Sequence, residues 1–352
     1  MASSPLPAGD QASTQYSRLL KLRWLLMAVF VAVILLSLVA DFMLGPSGLS
    51  WSELMRTLFS PDQAEPTTSV IVWDVRLPYA VMAVVVGLGL GLAGAEMQTI
   101  LVNPLASPFT LGISSAAAFG ASLALVLDLS LPWLPTDWAV AGNAFVFAIL
   151  SALLLDVLAR WGGMSGSGMV LVGIALVFTF NALVSLMQFI ASAEDLQNLV
   201  FWTMGSLSRA SWPKVGGMLL AFAVILPLCL KDAWKLTALR LGEDRAISFG
   251  IDVKPQRLVS LLRISFLAAL AVSMVGTISF IGLIAPHIAR RLFGEDHRFY
   301  LPGSALIGAM ILSLASIASK NIVEGVIVPV GIVTSLVGVP FFVSVVMRRR
   351  AG

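Results

Sequence analysis

The chain is poor in the residues that most protein chemistry needs. Its single cysteine, Cys229, cannot form an internal disulfide, and no CxxC pair is present to hold a metal or run a redox cycle. Two histidines, His287 and His297, stand without an HExxH pattern, which removes the usual zinc-protease arrangement. Serine hydrolysis needs a histidine at depth, whereas His287 sits beside Arg290 and Arg291 at the end of an apolar run. Charge is scarce too, since only 12% of the residues are Asp, Glu, Lys or Arg. The pattern supports no catalytic residue and no metal site.

Apolar side chains take the vacant share. They make up 58% of the sequence, and the mean hydropathy is +0.95, which identifies an all-α polytopic membrane protein. Length is therefore counted in bilayer crossings of about 20 residues. Apolar runs predict ten, at 22–43, 78–97, 108–128, 138–159, 168–191, 214–230, 258–277, 280–292, 301–319 and 330–347. The eighth is short for a crossing.

Residues 1–17 read as a disordered tail and 18–352 as one transmembrane domain. Arg18, Lys21 and Arg23 precede an apolar run too long for a secretory signal, and no cleavage site follows. If the tail is cytoplasmic, the inside also receives Arg160, the loop 231–257, Arg290, Arg291, Arg298 and Arg348 to Arg350. Only Arg56, Arg76, Arg209, Lys214 and Lys320 fall outside. This bias predicts cytoplasmic termini, and it explains the net charge of +3 without nucleic acid.

Several stretches depart from plain lipid-facing helix. Gly87, Gly91 and Gly94 lie near one helical face, as close helix packing requires. "AEDLQNLVFWTMGSLSRASWP" is too polar to cross and reads as an interfacial element on the outer side, with tryptophans at headgroup depth. Asp41, Glu96, Asp156 and Arg263 are costly in lipid; all but Asp41 lie toward the inner side, where snorkelling or capping is expected. Pro286 is expected to end a short helix, with His287, Arg290 and Arg291 binding the freed carbonyls. The loop from Lys231 to Arg257 carries Leu236, Leu239, Leu241, Ile247 and Phe249 at helical spacing, like short helices docking into a partner's groove. A channel, a secondary transporter and the membrane half of a pump all remain open on these features.

"RLPYAVMAVVVGLGLGLAGAEMQTILVNPLASPFTLGISSAAAFGA", "WTMGSLSRASW", "LGEDRAISFGIDV", "GTISFIGLIAPHIARRLFGEDHR" and "VPVGIVTSLVGVPFF" occur in this order between Trp73 and Arg348. Together they resemble the FecCD family, permease subunits of type II ABC importers for ferric siderophores, haem or cobalamin. The resemblance implies a dimer of ten-helix subunits in the bacterial inner membrane. Beneath it would lie two ABC ATPases, which use the ATP and Mg, and above it a periplasmic or lipid-tethered binding protein. No cofactor would be bound by this chain itself. Leu241, Gly242, Glu243, Arg245, Ala246, Gly250 and Val253 would seat on the ATPase. Gly166 and Ser167 of "MSGSGM" would form a cytoplasmic gate, against the alternative of a plain flexible turn, and Trp202 and Gly205 would line the outer mouth.

The sequence departs from the family pattern where the binding protein docks. Arg76 is kept, Tyr79 stands for a second arginine, Lys320 for a third, Ser316 for an acid four positions earlier, and Ile327 for a glutamate. Arg76, Tyr79 and Lys320 are then the expected docking residues, with headgroup anchoring the other reading of Arg76. A ferric siderophore is the first substrate expected, with haem or cobalamin as alternatives. An ion-coupled secondary transporter is the rival class.

Overall fold

The computed structural model describes residues 8–45, 48–132, 135, 138–162, 164 and 166–350. Among these the regular elements are helical, with one isolated bridge between Val323 and Val326. In chain order they are α1 (Ala8–Met43), α2 (Trp51–Phe59), α3 (Pro66–Val70), α4 (Leu77–Ile100), α5 (Ile113–Leu127), α6 (Ala139–Trp161), α7 (Gly166–Ile190), α8 (Ala193–Thr203) and α9 (Trp212–Lys231). There follow α10 (Ala233–Leu239), α11 (Glu243–Ser248), α12 (Val253–Val275), α13 (Ile281–Phe293), α14 (His297–Asn321) and α15 (Val330–Arg350).

Each of the ten apolar runs coincides with a helix. Among the described residues seven helical stretches are long and apolar enough to cross a bilayer, including one that runs unbroken from Pro66 through α3 into α4. The helix α5 and the apolar part of α15, Val330–Val345, are shorter, and α13 has 13 residues. The polar stretch after α7 forms α8 and a tight turn, Leu207–Arg209, rather than a crossing. This is a multi-pass helical membrane protein.

Two local expectations change. Only residues 1–7 of the expected tail lie outside the described residues; the chain is helical from Ala8, because α1 continues N-terminally past residue 17. The Tyr16 hydroxyl lies 3.5 Å from Arg298 Nη2, and Arg23 pairs with Asp296 at 3.7 Å, so the early turns of α1 have partners at the start of α14. Pro286 lies inside α13, which runs on to Phe293 and stops at Gly294, a residue with φ of +78°. The ring of His287 packs edge-on to Phe341, and Arg290 reaches the Tyr300 hydroxyl and Glu295 rather than serving the end of its own helix.

Burial sorts the spans into a centre and a rim. The apolar window of the span ending in α4 is 78% buried and that of α12 is 72%, against 22% for α7 and 28% for α1. The glycines of α4 explain its central position. A Cβ at Gly87 would overlap the backbone of Gly308 and Ala309, one at Gly91 the Ser304 carbonyl, and one at Gly94 the Gly282 carbonyl. Without side chains there, α14 and α13 approach α4 backbone to backbone, the small-residue packing expected of membrane helices.

The bundle has two distinct ends. At the basic face, α1, the end of α10, the end of α13 and the start of α14 meet through Arg23–Asp296, Arg240–Glu295 and Arg290–Glu295 pairs, and α11 is held to α12 through Glu243–Arg257. At the opposite face, the end of α1 meets the end of α14 and the start of α4.

Candidate coupling face and buried charge networks

The helices α10 and α11 form because two breaks bracket them. Leu241 and Gly242 close the first with backbone bonds to Ala238 and Leu239, and Gly242 adopts a φ of +109° that side-chain-bearing residues rarely accept. Gly250, with φ of +78°, ends the second. The apolar residues of this loop split into two sets. Leu236, Leu239, Ala246 and Val253 are buried and fasten the helices to the bundle, so Leu236 and Leu239 do not belong to an exposed docking stripe. Trp234, Leu241, Ile247 and Phe249 are more than half exposed, and Trp234 and Phe249 lie 6.1 Å apart ring to ring. Arg245 is exposed as well, and Glu243 is paired with Arg257 on α12. An exposed aromatic and aliphatic group beside mixed charge is the composition of a protein contact.

Behind this surface lies a chain of charge. Arg263 on α12 bonds Asp232 at 2.5 Å and faces Glu96 on α4 at 3.8 Å, while the Cys229 thiol donates to Glu96 at 3.1 Å. The side chains of Arg263 and Glu96 are 7% and 1% exposed, so neither snorkels to a surface, contrary to the expectation from position alone. They pair with each other because an ion buried among helices needs a counter-ion. Asp156 does have a local partner, Arg160, at 2.8 Å. Burial pushes the Asp232 carboxyl up, but bonds from Lys235 and Arg263 outweigh it and hold it below the ordinary carboxylate range. Asp232 joins α9 to α10, so this chain of charge leads from the bundle centre to the exposed helices.

A second link joins residues far apart in the chain. His297 is fully buried, with Nε2 2.7 Å from the Thr99 hydroxyl at the end of α4 and Nδ1 3.1 Å from the Thr237 hydroxyl on α10. Its value in the sequence was hidden, since neither threonine lies near it in the chain.

Gly166 starts α7 and packs against the Leu101 backbone just beyond α4, with no room for a Cβ. Ser167 follows in the same helix, and its side chain lies outside the described residues. Gly205, with φ of +69°, abuts the Thr277 carbonyl. Trp202 is 2% exposed and belongs to a buried cluster with α5, α6 and α12, so it is not an exposed tryptophan at headgroup depth.

The three expected docking residues are also buried, which overturns an exposed rim of charge. Arg76 is 5% exposed and donates to the carbonyls of Phe42, Met43 and Gly45, the acceptors that the end of α1 leaves open. Lys320 is 3% exposed, bonds the Asp41 carbonyl at 2.7 Å and pairs with its carboxylate at 3.1 Å. Ser316 donates to the same carboxylate at 2.9 Å, so an acid on α1 meets the serine that stands for an acid on α14. Tyr79 lies beneath the Lys320 ammonium, 4.4 Å from it, and shares a hydrogen bond with Ser319.

Comparison with known proteins supports the same architecture. The chain is 38% identical over 283 residues to the hemin transport system permease protein HmuU of Yersinia pestis, covering 79% of this chain and 84% of the relative. It is 38% identical over 278 residues to the vitamin B12 import system permease protein BtuC of Vibrio vulnificus, covering 79% and 82%. A solved ABC transporter assigned to the metal-chelate type, in an inward-facing conformation, superposes with a TM-score of 0.80 at 29% identity, covering 92% of this chain and 99% of that one. The description of the FecCD transport family matches residues 29–348, nearly the whole of the helical bundle. Sequence order, helix arrangement and relatives agree, and the chain is an ABC transporter permease belonging to the FecCD transport family.

Proposed function

We propose that this chain is the membrane subunit of an ATP-driven importer for a bulky metal chelate, with a ferric siderophore the first choice of cargo. Relatives named for hemin and vitamin B12 import keep haem and cobalamin as alternatives within the same class. The observation that carries the reading is the exposed group Trp234, Leu241, Ile247 and Phe249, on helices fastened to the bundle by buried leucines and by charge. A loop of a self-sufficient, ion-coupled transporter has no need of that surface; a soluble engine does. We assign Leu241, Gly242, Glu243, Arg245, Ala246, Gly250 and Val253 to the coupling element on which two ABC ATPases seat, and ATP with Mg is consumed there rather than here.

On this reading the basic face is cytoplasmic in the inner membrane, as the charge bias requires. A second permease subunit, identical or not, covers the weakly buried α7 and completes a path in which Gly166 and Ser167 contribute to the inner gate. A periplasmic or lipid-tethered binding protein delivers cargo at the opposite face. The test is co-purification of the ATPase with the wild-type chain and with Ile247→Arg. Ile247 is 60% exposed, so the variant should fold, lose the ATPase and lose uptake. Retained ATPase and normal uptake would sink the coupling assignment. Cargo is settled separately, by measuring which of a ferric siderophore, haem or cobalamin quenches the fluorescence of the co-purified binding protein.

A further inference from the structure

The short helix α2 lies at the level where the spans end. Its Leu54 is buried in one cluster with Phe42, one residue from the end of the α1 span, and with Val72, just ahead of α4. The Thr57 carbonyl accepts from Trp73 Nε1 at 3.3 Å, and the Trp73 carbonyl in turn accepts from Trp212 Nε1 at 2.8 Å. Trp212 is the first residue of the α9 span. The helix is therefore fixed at the depth where α1 ends and α9 begins, which is headgroup depth at the opposite face, where tryptophans concentrate.

Successive residues turn by about 100° around a helix, and this divides α2 into three arcs. Leu54 and Thr57 are buried against the bundle, with Leu58 half-buried beside them. Ser52, Glu53 and Arg56 are exposed and lie roughly opposite, an arc suited to water. On the flank between them, within about 80°, fall Trp51, Met55 and Phe59. Trp51 is 49% exposed and Phe59 is 80% exposed, so this edge is apolar yet uncovered by the bundle. A platform for a soluble partner would carry its apolar group on the arc turned to water, and that arc is polar. The apolar edge instead continues a surface already given to lipid, since Val39, Met43 and Leu44 are each more than a third exposed at the end of the weakly buried α1. Glu53 and Arg56 cancel in charge, so apolar insertion rather than attraction to anionic headgroups is the available mode of binding.

We propose that α2 is an interfacial helix whose partner is the adjacent membrane leaflet. Trp51, Met55 and Phe59 insert at the boundary of acyl chains and headgroups, while Ser52, Glu53 and Arg56 meet water. Through the Leu54 cluster and the Trp73 bond the helix then holds the ends of α1 and α4 at a set depth. The proposal does not depend on the cargo or on the ATPase.

The full-length permease is reconstituted in phosphatidylcholine nanodiscs with a nitroxide label on Trp51→Cys, Ser52→Cys, Arg56→Cys or Phe59→Cys. Cys229 is fully buried, and the wild type serves as the labelling blank. Collisions are measured with oxygen, which concentrates among acyl chains, and with a water-soluble nickel chelate. The ratio of oxygen to nickel collisions should be several-fold higher at positions 51 and 59 than at 52 and 56, and adding phosphatidylglycerol should leave it unchanged. Phe59→Asp should lower the ratio for the label at position 51, because one of the inserted rings is gone. Equal, nickel-accessible labels at all four positions would overturn the proposal and leave the edge to a soluble partner. Labels at 51 and 59 shielded from both reagents would also overturn it, by showing that protein covers the edge. A contrast that arises only with phosphatidylglycerol would refute apolar insertion.

Discussion

The Nε2 of His297 stands 2.7 Å from the hydroxyl of Thr99, and both side chains are sealed from solvent. Through its other nitrogen the same ring meets Thr237, so one imidazole ties α4, α14 and α10 together. Replacing it with phenylalanine keeps the bulk and removes this partner from one buried and one half-buried hydroxyl, each still donating to a carbonyl of its own helix, at a cost of about 1 kcal/mol. His297→Phe should lower the Tm and, because α10 loses a tether to α4, transport less cargo per ATP hydrolysed. Thr237→Val should act in the same direction. Unchanged transport per ATP in both variants would reduce the histidine to packing.

Arg263 and Glu96 should behave as a pair. Arg263→Met strands a carboxylate that is 1% exposed and should cost about 3–5 kcal/mol, whereas Glu96→Gln together with Arg263→Met should recover much of the loss. Denaturation of the two single variants and the double variant measures the coupling directly. Additive losses would mean that the pair contributes no mutual stabilisation.

Two glycines separate backbone need from steric need. At Gly242 nothing lies within 4 Å of an added Cβ, yet φ is +109°, so Gly242→Ala is strained by about 1–2 kcal/mol and should reshape the turn between α10 and α11. Gly216 is equally open but sits inside α9, where alanine is favoured by about 1 kcal/mol. ATPase affinity should fall several-fold for Gly242→Ala and stay unchanged for Gly216→Ala. Equal affinities would show that the turn geometry does not matter to the contact.

Lys320→Met tests the buried reading of the opposite face. The change leaves the Asp41 carboxylate with Ser316 as its remaining side-chain donor, so stability should fall by about 3–5 kcal/mol, and Asp41→Asn in the same chain should restore part of it. Binding-protein association, measured at low and high salt, should keep its salt dependence in any variant that still folds. A salt slope that flattens selectively would return Lys320 to the docking surface.

The apolar runs, the glycine face of α4 and the two breaks around α11 were legible because each is a local pattern. The helix α2 carries a local signature as well, a reciprocal capping box of Ser50 and Glu53 at its start. What the sequence concealed was the pairing of distant polar groups. Asp41 and Lys320 are 279 positions apart, and Thr99 and His297 are 198 apart, so no spacing rule joins them. Arg76 misled for a related reason. An arginine at the edge of an apolar run resembles a surface charge until the carbonyls of α1 are seen to occupy it.

The glycine contacts between α4 and α14 also restrict how the molecule can move. Where Gly87 and Gly91 meet Gly308 and Ser304, the two backbones are in direct contact, with no side chains between them to change rotamer. Rocking one helix against the other would either collide main chains or open a gap that neither could fill. Any rearrangement of the bundle that keeps these contacts therefore moves α4 and α14 together as a stiff rod, while α7, with 22% of its apolar window buried, has far fewer helix contacts to give up.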